Sequence, residues 1–147
     1  YFKVMGANPS FFRGQNRPVE KVTWNQAVAF CDKVGKRLPT EQEWERAIRA
    51  GTTSPYYWGK NQPDRYAWYK GNAAKKTHVV GKKEPNSWGL YDMAGNVWEW
   101  TQSDHERSGK VARGGSWRNG AGSLKSSHRI SSLPIHKFHY VGFRCAH

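Results

Sequence analysis

The sequence predicts a single α+β domain over residues 1–147, with two helices followed by a small antiparallel sheet and long loops. Three observations predict it. Only 37% of the residues are hydrophobic, but eight Trp, seven Tyr and six Phe supply large apolar areas for a core. Fifteen Gly and seven Pro divide the chain into short elements. Two clear helix starts lie in the first third of the chain, and no further start follows.

Both helices are predicted from capping boxes, in which a Thr hydroxyl and a Gln or Glu three positions later satisfy each other's backbone N–H groups. The first helix begins after Thr23 and ends near Val34. The second begins after Thr40 and ends at Gly51, which takes the position after the last helical turn. The apolar faces are expected to be Ala27, Val28, Phe30, Cys31 and Val34 on the first helix, and Trp44, Ala47 and Ile48 on the second.

Beyond Thr52 the sequence predicts strands and loops and no helix. Three short aromatic or β-branched stretches, residues 97–101, 111–113 and 142–146, have the composition of strands. Gly, Pro, Asn and Asp clusters separate them and indicate turns. The sheet is therefore expected in the C-terminal half.

The charge of the chain restricts its partners. Twenty-four Lys and Arg against 11 Asp and Glu give a formal charge of +13. This charge indicates either an anionic partner, such as an acidic protein, or a solvated basic face. Specific nucleic-acid binding is not expected, because no zinc finger, RNA-binding motif or basic recognition helix is present. No stretch approaches the roughly 18 apolar residues of a membrane helix. The basic surplus is largest at Lys60, Lys70, Lys75, Lys76, Lys82 and Lys83.

Seven segments together resemble one known family. They include the blocks Gly89-Leu90-Tyr91-Asp92-Met93 and Gly95-Asn96-Val97-Trp98-Glu99-Trp100, and in full they are residues 4–10, 18–24, 37–45, 57–59, 86–100, 113–117 and 142–145. In this order the sequence is similar to the formylglycine-generating enzyme, or sulfatase-modifying factor, family over nearly its whole length. The resemblance implies a C-type-lectin-like fold. It also implies that residues 1–147 lack the N-terminal strands of the family.

The resemblance implies the loss of the family's catalytic site. Its enzymes oxidise a sulfatase cysteine to formylglycine with two copper-binding cysteines, five residues apart, after a Gly-Gly-Ser motif. Aligned on that motif, the two positions are Asn119 and Leu124. Copper(I) requires soft ligands such as thiolates, so no copper is expected here. We therefore expect a pseudoenzyme that works as a binding or scaffold domain. The alternative is a sulfatase-modifying or other metal-dependent oxidase with a relocated active site.

The stretch after Trp117 departs from the polar pattern of the family. It resembles the variable regions of proteins that are diversified by retroelements, which display changing residues on the same lectin-like fold. Aromatic side chains with small polar neighbours form good binding surfaces. The loops 118–123 and 128–140 are therefore expected to bind a protein or other macromolecular ligand. The predicted ligand-binding residues are Trp117, Arg118, Asn119, Gly120, His128, Ile130, Ile135, His136, Phe138, His139 and Tyr140.

Two alternatives to this binding surface stay open. Phe138 and Tyr140 can instead be buried against the sheet, with the remaining changes due to drift. The chain can also be an accessory subunit of a larger exported complex. The four C-terminal histidines include a metal-like pair, His136 and His139, but no carboxylate lies nearby in the sequence. Because metal sites need three or more convergent ligands, we interpret these histidines as surface or pocket residues.

The two cysteines, Cys31 and Cys145, match the helix-to-last-strand disulfide that C-type-lectin-like folds typically contain. A bridge would favour an exported, periplasmic or cell-surface protein. The alternative is a pair of buried free thiols in a reducing compartment.

Calcium is the one cofactor that the resemblance implies, as a structural ion. Asn96 and Glu99 offer oxygen ligands at a position that corresponds to a calcium site of the family. In the alternative interpretation Asn96 only holds a tight turn and Glu99 pairs with an Arg.

Overall fold

Two helices and a four-stranded sheet form the framework of the domain. The computed structural model describes all residues, 1–147. Two further helices, Phe2–Met5 and Pro63–Tyr66, are single turns. The elements are α1 (Phe2–Met5), α2 (Trp24–Lys33), α3 (Glu41–Arg49), α4 (Pro63–Tyr66), β1 (Trp98–Asp104), β2 (Lys110–Arg113), a 3₁₀ turn (Ala121–Leu124), β3 (Arg129–Ser132) and β4 (Val141–Phe143).

Both predicted capping boxes are confirmed. The Thr23 hydroxyl accepts from the backbone N–H of Gln26 at 3.1 Å, and the Gln26 side chain accepts from that of Thr23 at 2.9 Å. Thr40 caps α3 in the same way. Val34 is 38% exposed, so its assignment to the apolar face of α2 was wrong. It lies beyond the last helical residue, where the chain turns away from the core.

The sheet has the strand order β3-β2-β1-β4 and is mixed. β1 and β2 pair antiparallel, as do β2 and β3, but β4 runs parallel to β1. The prediction of an antiparallel sheet is therefore wrong for β4 alone, because residues 133–140 carry the chain from one edge of the sheet to the other. β3 lies inside a stretch that was predicted to be a loop. α4 and the 3₁₀ turn correct the expectation of no helix beyond Thr52, since one turn is too short to show an apolar period.

Tryptophans dominate the core, as the composition predicted. Trp44, Trp98 and Trp100 are among the largest fully buried side chains. One cluster packs α2 against β1 and β4, and a second packs α3 against the segment that precedes the sheet. Each of the three indole N–H groups donates a hydrogen bond, which removes the cost of burying a polar atom. None of the helices is long and apolar enough to span a membrane.

The predicted disulfide is confirmed. Cys31 on α2 is joined to Cys145 across a sequence separation of 114 residues. Cys145 follows β4 rather than lying on it, and the neighbouring Ala146 exchanges backbone hydrogen bonds with Arg37. The C-terminus is therefore tied to α2 by one covalent bond and to the segment after α2 by two hydrogen bonds.

Candidate ligand-binding face

The loop after Gly114-Gly115-Ser116 is braced from inside by Asn119. Its Oδ1 accepts from Trp98 Nε1 at 2.9 Å and from the Ser116 hydroxyl at 2.5 Å. Leu124 is fully buried in the cluster around Trp44. The two positions that align with the catalytic thiols thus hold an amide engaged in internal hydrogen bonds and an aliphatic side chain. Asn119 was predicted to contact ligand, whereas its side chain stabilises the loop.

Several of the predicted binding residues gather around Tyr140. The Phe138 ring stacks on it, with centroids 5.1 Å apart, and the Arg118 guanidinium lies 4.5 Å from its centroid. His139 is next to Tyr140 at 5.5 Å and also contacts Trp117 at 5.4 Å. Stacked rings under a guanidinium are stiff and have few rotamers to lose on binding.

Phe138 and Tyr140 are each half-buried, so the alternative of burial against the sheet holds for part of each side chain. Both pack on the first core cluster and line a cavity of about 90 Å³ together with Trp100 and Ile130. Ile130 reaches this cavity from β3. The cavity therefore lies between the aromatic rings and β3, next to the core.

The remaining predicted residues lie further apart. Ile135 is 68% exposed. The His136 ring hydrogen-bonds the Ser132 hydroxyl at 3.0 Å, and His128 lies 5.8 Å from the Trp98 ring. Gly120 is exposed and precedes the 3₁₀ turn. No three or more His, Cys, Asp or Glu side chains converge on a common point in the chain.

Two phenylalanines that the sequence interpretation missed complete the surface. Phe12 packs edge-on against Trp117 at 5.5 Å, and Phe11, which is 66% exposed, lies 5.8 Å from His139. The buried Glu20 positions them, because its Oε1 accepts from the backbone N–H of Phe12 at 2.7 Å. The only sequence signal for these two surface residues was the pair Phe11-Phe12 itself, in a stretch without a helical or strand period. We call Phe11, Phe12, Trp117, Arg118, Phe138, His139 and Tyr140 the aromatic face.

The aromatic face is electrostatically positive. Burial lowers the pKa of His139 below its ordinary value of 6.5, and the nearby charges of Arg118 and Lys21 lower it further. A second proton on this ring would add a positive charge beside two others. The face therefore holds a neutral imidazole at neutral pH and presents its positive charge through Arg118 and Lys21.

Asn96 and Glu99, the residues predicted for calcium, make other contacts. The Asn96 amide accepts from the backbone N–H of His78 and donates to its carbonyl, both at 3.0 Å. The Glu99 carboxylate accepts from Arg144 at 2.6 and 2.7 Å and from Trp44 Nε1 at 2.7 Å. These are the contacts expected if Asn96 holds a tight turn and Glu99 pairs with an Arg, which was the alternative to a calcium site. A calcium ion bound by Asn96 and Glu99 would compete with these contacts, since the Asn96 oxygen accepts one peptide hydrogen bond and both Glu99 oxygens accept from Arg144.

Asp92 is a better candidate for a cation ligand than Asn96 or Glu99. It is 8% exposed, its Oδ2 accepts from Gly81 N–H at 2.7 Å, and its Oδ1 has no partner. It lines a cavity of about 420 Å³ together with Glu99 and Arg144. Burial raises the pKa of Asp92, and the negative charge of Glu99 raises it further, against the opposing effects of the Gly81 N–H and Arg144. A calcium ion here would find one unengaged carboxylate oxygen, Asp92 Oδ1, and a second carboxylate, Glu99, that shares its charge with Arg144; the ion would supply only charge neutralisation and rigidity.

Comparison with known proteins identifies the family. The profile described as "Sulfatase-modifying factor enzyme 1-like domain" matches residues 2–147. The inactive C-alpha-formylglycine-generating enzyme 2 of Bos taurus is 40% identical over 149 residues, covering 88% of this chain and 50% of the relative. The formylglycine-generating enzyme of Mus musculus is 35% identical, covering 96% of this chain and 47% of the relative.

A solved structure agrees with this match. Treponema denticola variable protein 1 superimposes with a TM-score of 0.88 at 32% identity, over 97% of this chain and 78% of that one. The chain spans about half the length of the two curated relatives. The fold is the predicted α+β, C-type-lectin-like one. The chain therefore belongs to the sulfatase-modifying factor, or formylglycine-generating enzyme, family.

Proposed function

We propose that this chain is a non-catalytic binding domain and that the aromatic face is its ligand-contacting surface. One observation carries the proposal. The positions that align with the catalytic thiols are an internal brace, Asn119, and a buried Leu124, while the loops beside them present stiff aromatic rings. The similarity to a relative named as inactive and to a variable protein supports the same function.

The composition of the aromatic face favours a protein or another macromolecule as ligand. Trp, Tyr and Arg contribute the most energy to protein interfaces, because they bury large areas at a small entropic cost. The neighbouring Ser and Gly residues add adaptable polar contacts. A small molecule would need a deeper pocket than the 90 Å³ depression beneath Tyr140.

Diversification is the finer form of the proposal. The exposed and half-buried positions of the tail hold Ser, His, Ile, Tyr and Phe, a set that supports a variable binding protein. An accessory subunit of an exported complex is the second form, and the buried face of such a subunit would be constant. The Cys31–Cys145 disulfide supports an oxidising, exported location for either form.

A combined activity and metal measurement separates a binder from an enzyme. The full chain is incubated with a cysteine-containing sulfatase peptide, copper, oxygen and a reductant, with the Mus musculus formylglycine-generating enzyme as positive control. We expect no peptide aldehyde by mass spectrometry and less than stoichiometric copper or iron by elemental analysis. Aldehyde formation, or one bound redox metal per chain, would establish the oxidase with a relocated site instead.

Sequencing the gene in sibling isolates tests diversification. The structure sharpens the expected pattern within residues 117–140. Substitutions should fall at exposed positions such as Arg118, Ile135 and His136, and should spare Asn119 and Leu124. Changes spread evenly over the chain, or concentrated at the two internal positions, would contradict a diversified binder.

A further inference from the structure

We propose that residues 60–83, which we call the basic segment, form an electrostatic extension of the aromatic face, and that the partner is an acidic polypeptide. This inference rests on the proposed binding function. It assigns the chemistry of the ligand, which the aromatic face alone does not define.

The positive charge of the chain is concentrated on lysines that the fold does not use. Six arginines make ion pairs within the chain, whereas Lys110 is the only lysine that does so. The basic segment contains a single acidic residue, Asp64. Five of its lysines are exposed and have no ion-pair partner: Lys60, Lys70, Lys75, Lys76 and Lys82. Their charge is available to a partner.

The basic segment is held in a fixed conformation. Thr77 is fully buried, and its carbonyl accepts a hydrogen bond from Arg17. The side-chain amide of Asn96 hydrogen-bonds both the backbone N–H and the backbone carbonyl of His78. Ala74 and Lys75 are consecutive residues with φ of 50° and 58°. This left-handed conformation costs L-residues energy and therefore persists only where the surrounding structure holds it in place. The backbone that carries these lysines therefore loses little freedom when a partner binds.

The basic segment is continuous with the aromatic face. The backbone N–H of Lys70 donates to the Asn119 carbonyl at 2.9 Å. Asn119 follows Arg118, whose guanidinium lies over Tyr140. The hydrogen bond between Lys70 and Asn119 therefore places the basic segment directly beside the residues that a partner on Arg118 and Tyr140 would contact.

The chemistry favours carboxylates over nucleic acid. Sites for single-stranded nucleic acid stack bases on free aromatic rings among the cations, but within the basic segment the Trp68 ring is covered by His78 at 3.8 Å and by Lys83 Nζ at 4.0 Å. Trp58 is likewise stacked between Tyr56 and Tyr66.

Binding of poly-L-glutamate by the full chain tests the inference, with duplex DNA and phosphatidylserine vesicles as competing probes. Fluorescence anisotropy is measured at about 50 and about 200 mM salt, since electrostatic binding weakens steeply over that range. The K75Q/K76Q/K82Q variant removes three charges from the basic segment. The K3Q/K33Q/K36Q variant removes three unpaired charges elsewhere and is the matched control. The melting temperature of each variant confirms that it is folded.

We expect poly-L-glutamate to bind, and the basic-segment variant to bind it about tenfold more weakly, with less than about a threefold loss in the control. Equal losses in the two variants would overturn the inference, because they would reflect net charge alone. So would tighter binding of DNA or vesicles than of poly-L-glutamate. These outcomes are independent of the aldehyde and metal measurements, so the binding function and the nature of its ligand can fail separately.

Discussion

The cavity beside Asp92 gives the sharpest test of the calcium prediction. Without a cation, Asp92 Oδ1 is a buried carboxylate oxygen that has no hydrogen-bond partner. With calcium, the same oxygen becomes a ligand. Replacing Asp92 with Asn keeps the shape of the side chain and is compatible with its φ of 55°, since Asn tolerates left-handed backbone. The Asp92→Asn substitution is therefore expected to have opposite effects on stability in the presence and absence of calcium.

The expected changes in stability follow from the energies of the calcium-free and the calcium-bound protein. A buried charge costs more than a neutral polar group in the same place, so replacing the Asp92 carboxylate by an amide should stabilise the calcium-free protein by about 1 kcal/mol. The site has two carboxylates, one of them already paired with Arg144, and so belongs to the weak class with a Kd of about 10⁻⁴–10⁻³ M. At about 10 mM calcium, mass action then stabilises the parent by about 1.4–2.7 kcal/mol. For a domain of this size that is a rise in melting temperature of about 3–10 °C.

Thermal unfolding of the parent and the Asp92→Asn variant is measured in calcium and in a chelator. We expect the variant to melt at or above the parent temperature in chelator and below it in calcium. Asp32→Asn, which removes an exposed carboxylate from α2, is the control and should not change the calcium response. An equal destabilisation by Asp92→Asn in both conditions, or a parent protein that ignores calcium, would refute the assignment.

Three further predictions concern stability. Replacing Cys31 and Cys145 by Ala should lower the free energy of unfolding by about 4–5 kcal/mol, because a bridge across 114 residues restricts the unfolded chain; urea titration checks this, and a loss below about 1 kcal/mol would contradict it. Arg113→Met should cost about 3 kcal/mol in the same assay, since it leaves the buried Glu41 with only a partly exposed partner; an unchanged midpoint would count against the ion pair. His139, whose folded pKa is depressed, contributes stability above its ordinary pKa of 6.5 that is lost as the pH falls through the lower folded value. Nuclear magnetic resonance should show His139 titrating below 6.5, and His139→Gln should remove that part of the acid destabilisation; a His139 pKa above 6.5 would exclude this effect.

The helices and the strands were not equally predictable. A capping box is a local signal, because Thr23 and Gln26 satisfy each other within one turn, so the start of α2 could be predicted to the residue. β3 is a short and mostly polar strand whose conformation depends on its pairing with β2. The direction of β4 depends on which edge of the sheet the chain reaches, and residues 133–140 contain no signal for that. Single-sequence patterns therefore predicted the elements that stabilise themselves and missed those that depend on a distant partner.

The same distinction applies to the candidate site. The residues around Tyr140 could be predicted because they are neighbours in sequence and share an unusual composition. Phe11 and Phe12 could not, because they reach the aromatic face from more than a hundred residues away through the hydrogen bond of Phe12 to Glu20. Asp92 was missed as a candidate ligand because only burial, which the sequence does not reveal, distinguishes it from a turn residue.

Asn119 connects the absence of a thiol at the aligned position with the proposed binding function. A catalytic thiol at this position must stay free to bind copper, so it cannot also brace the loop. Here the Asn119 amide bridges the Trp98 indole and the Ser116 hydroxyl, and its backbone carbonyl accepts from Lys70. These three hydrogen bonds fix the base of the loop that carries Arg118. A binding surface benefits from this rigidity, because each contact residue that is already ordered loses less entropy when the ligand arrives. The substitution that removes the thiol thus supplies the preorganisation that a recognition surface requires.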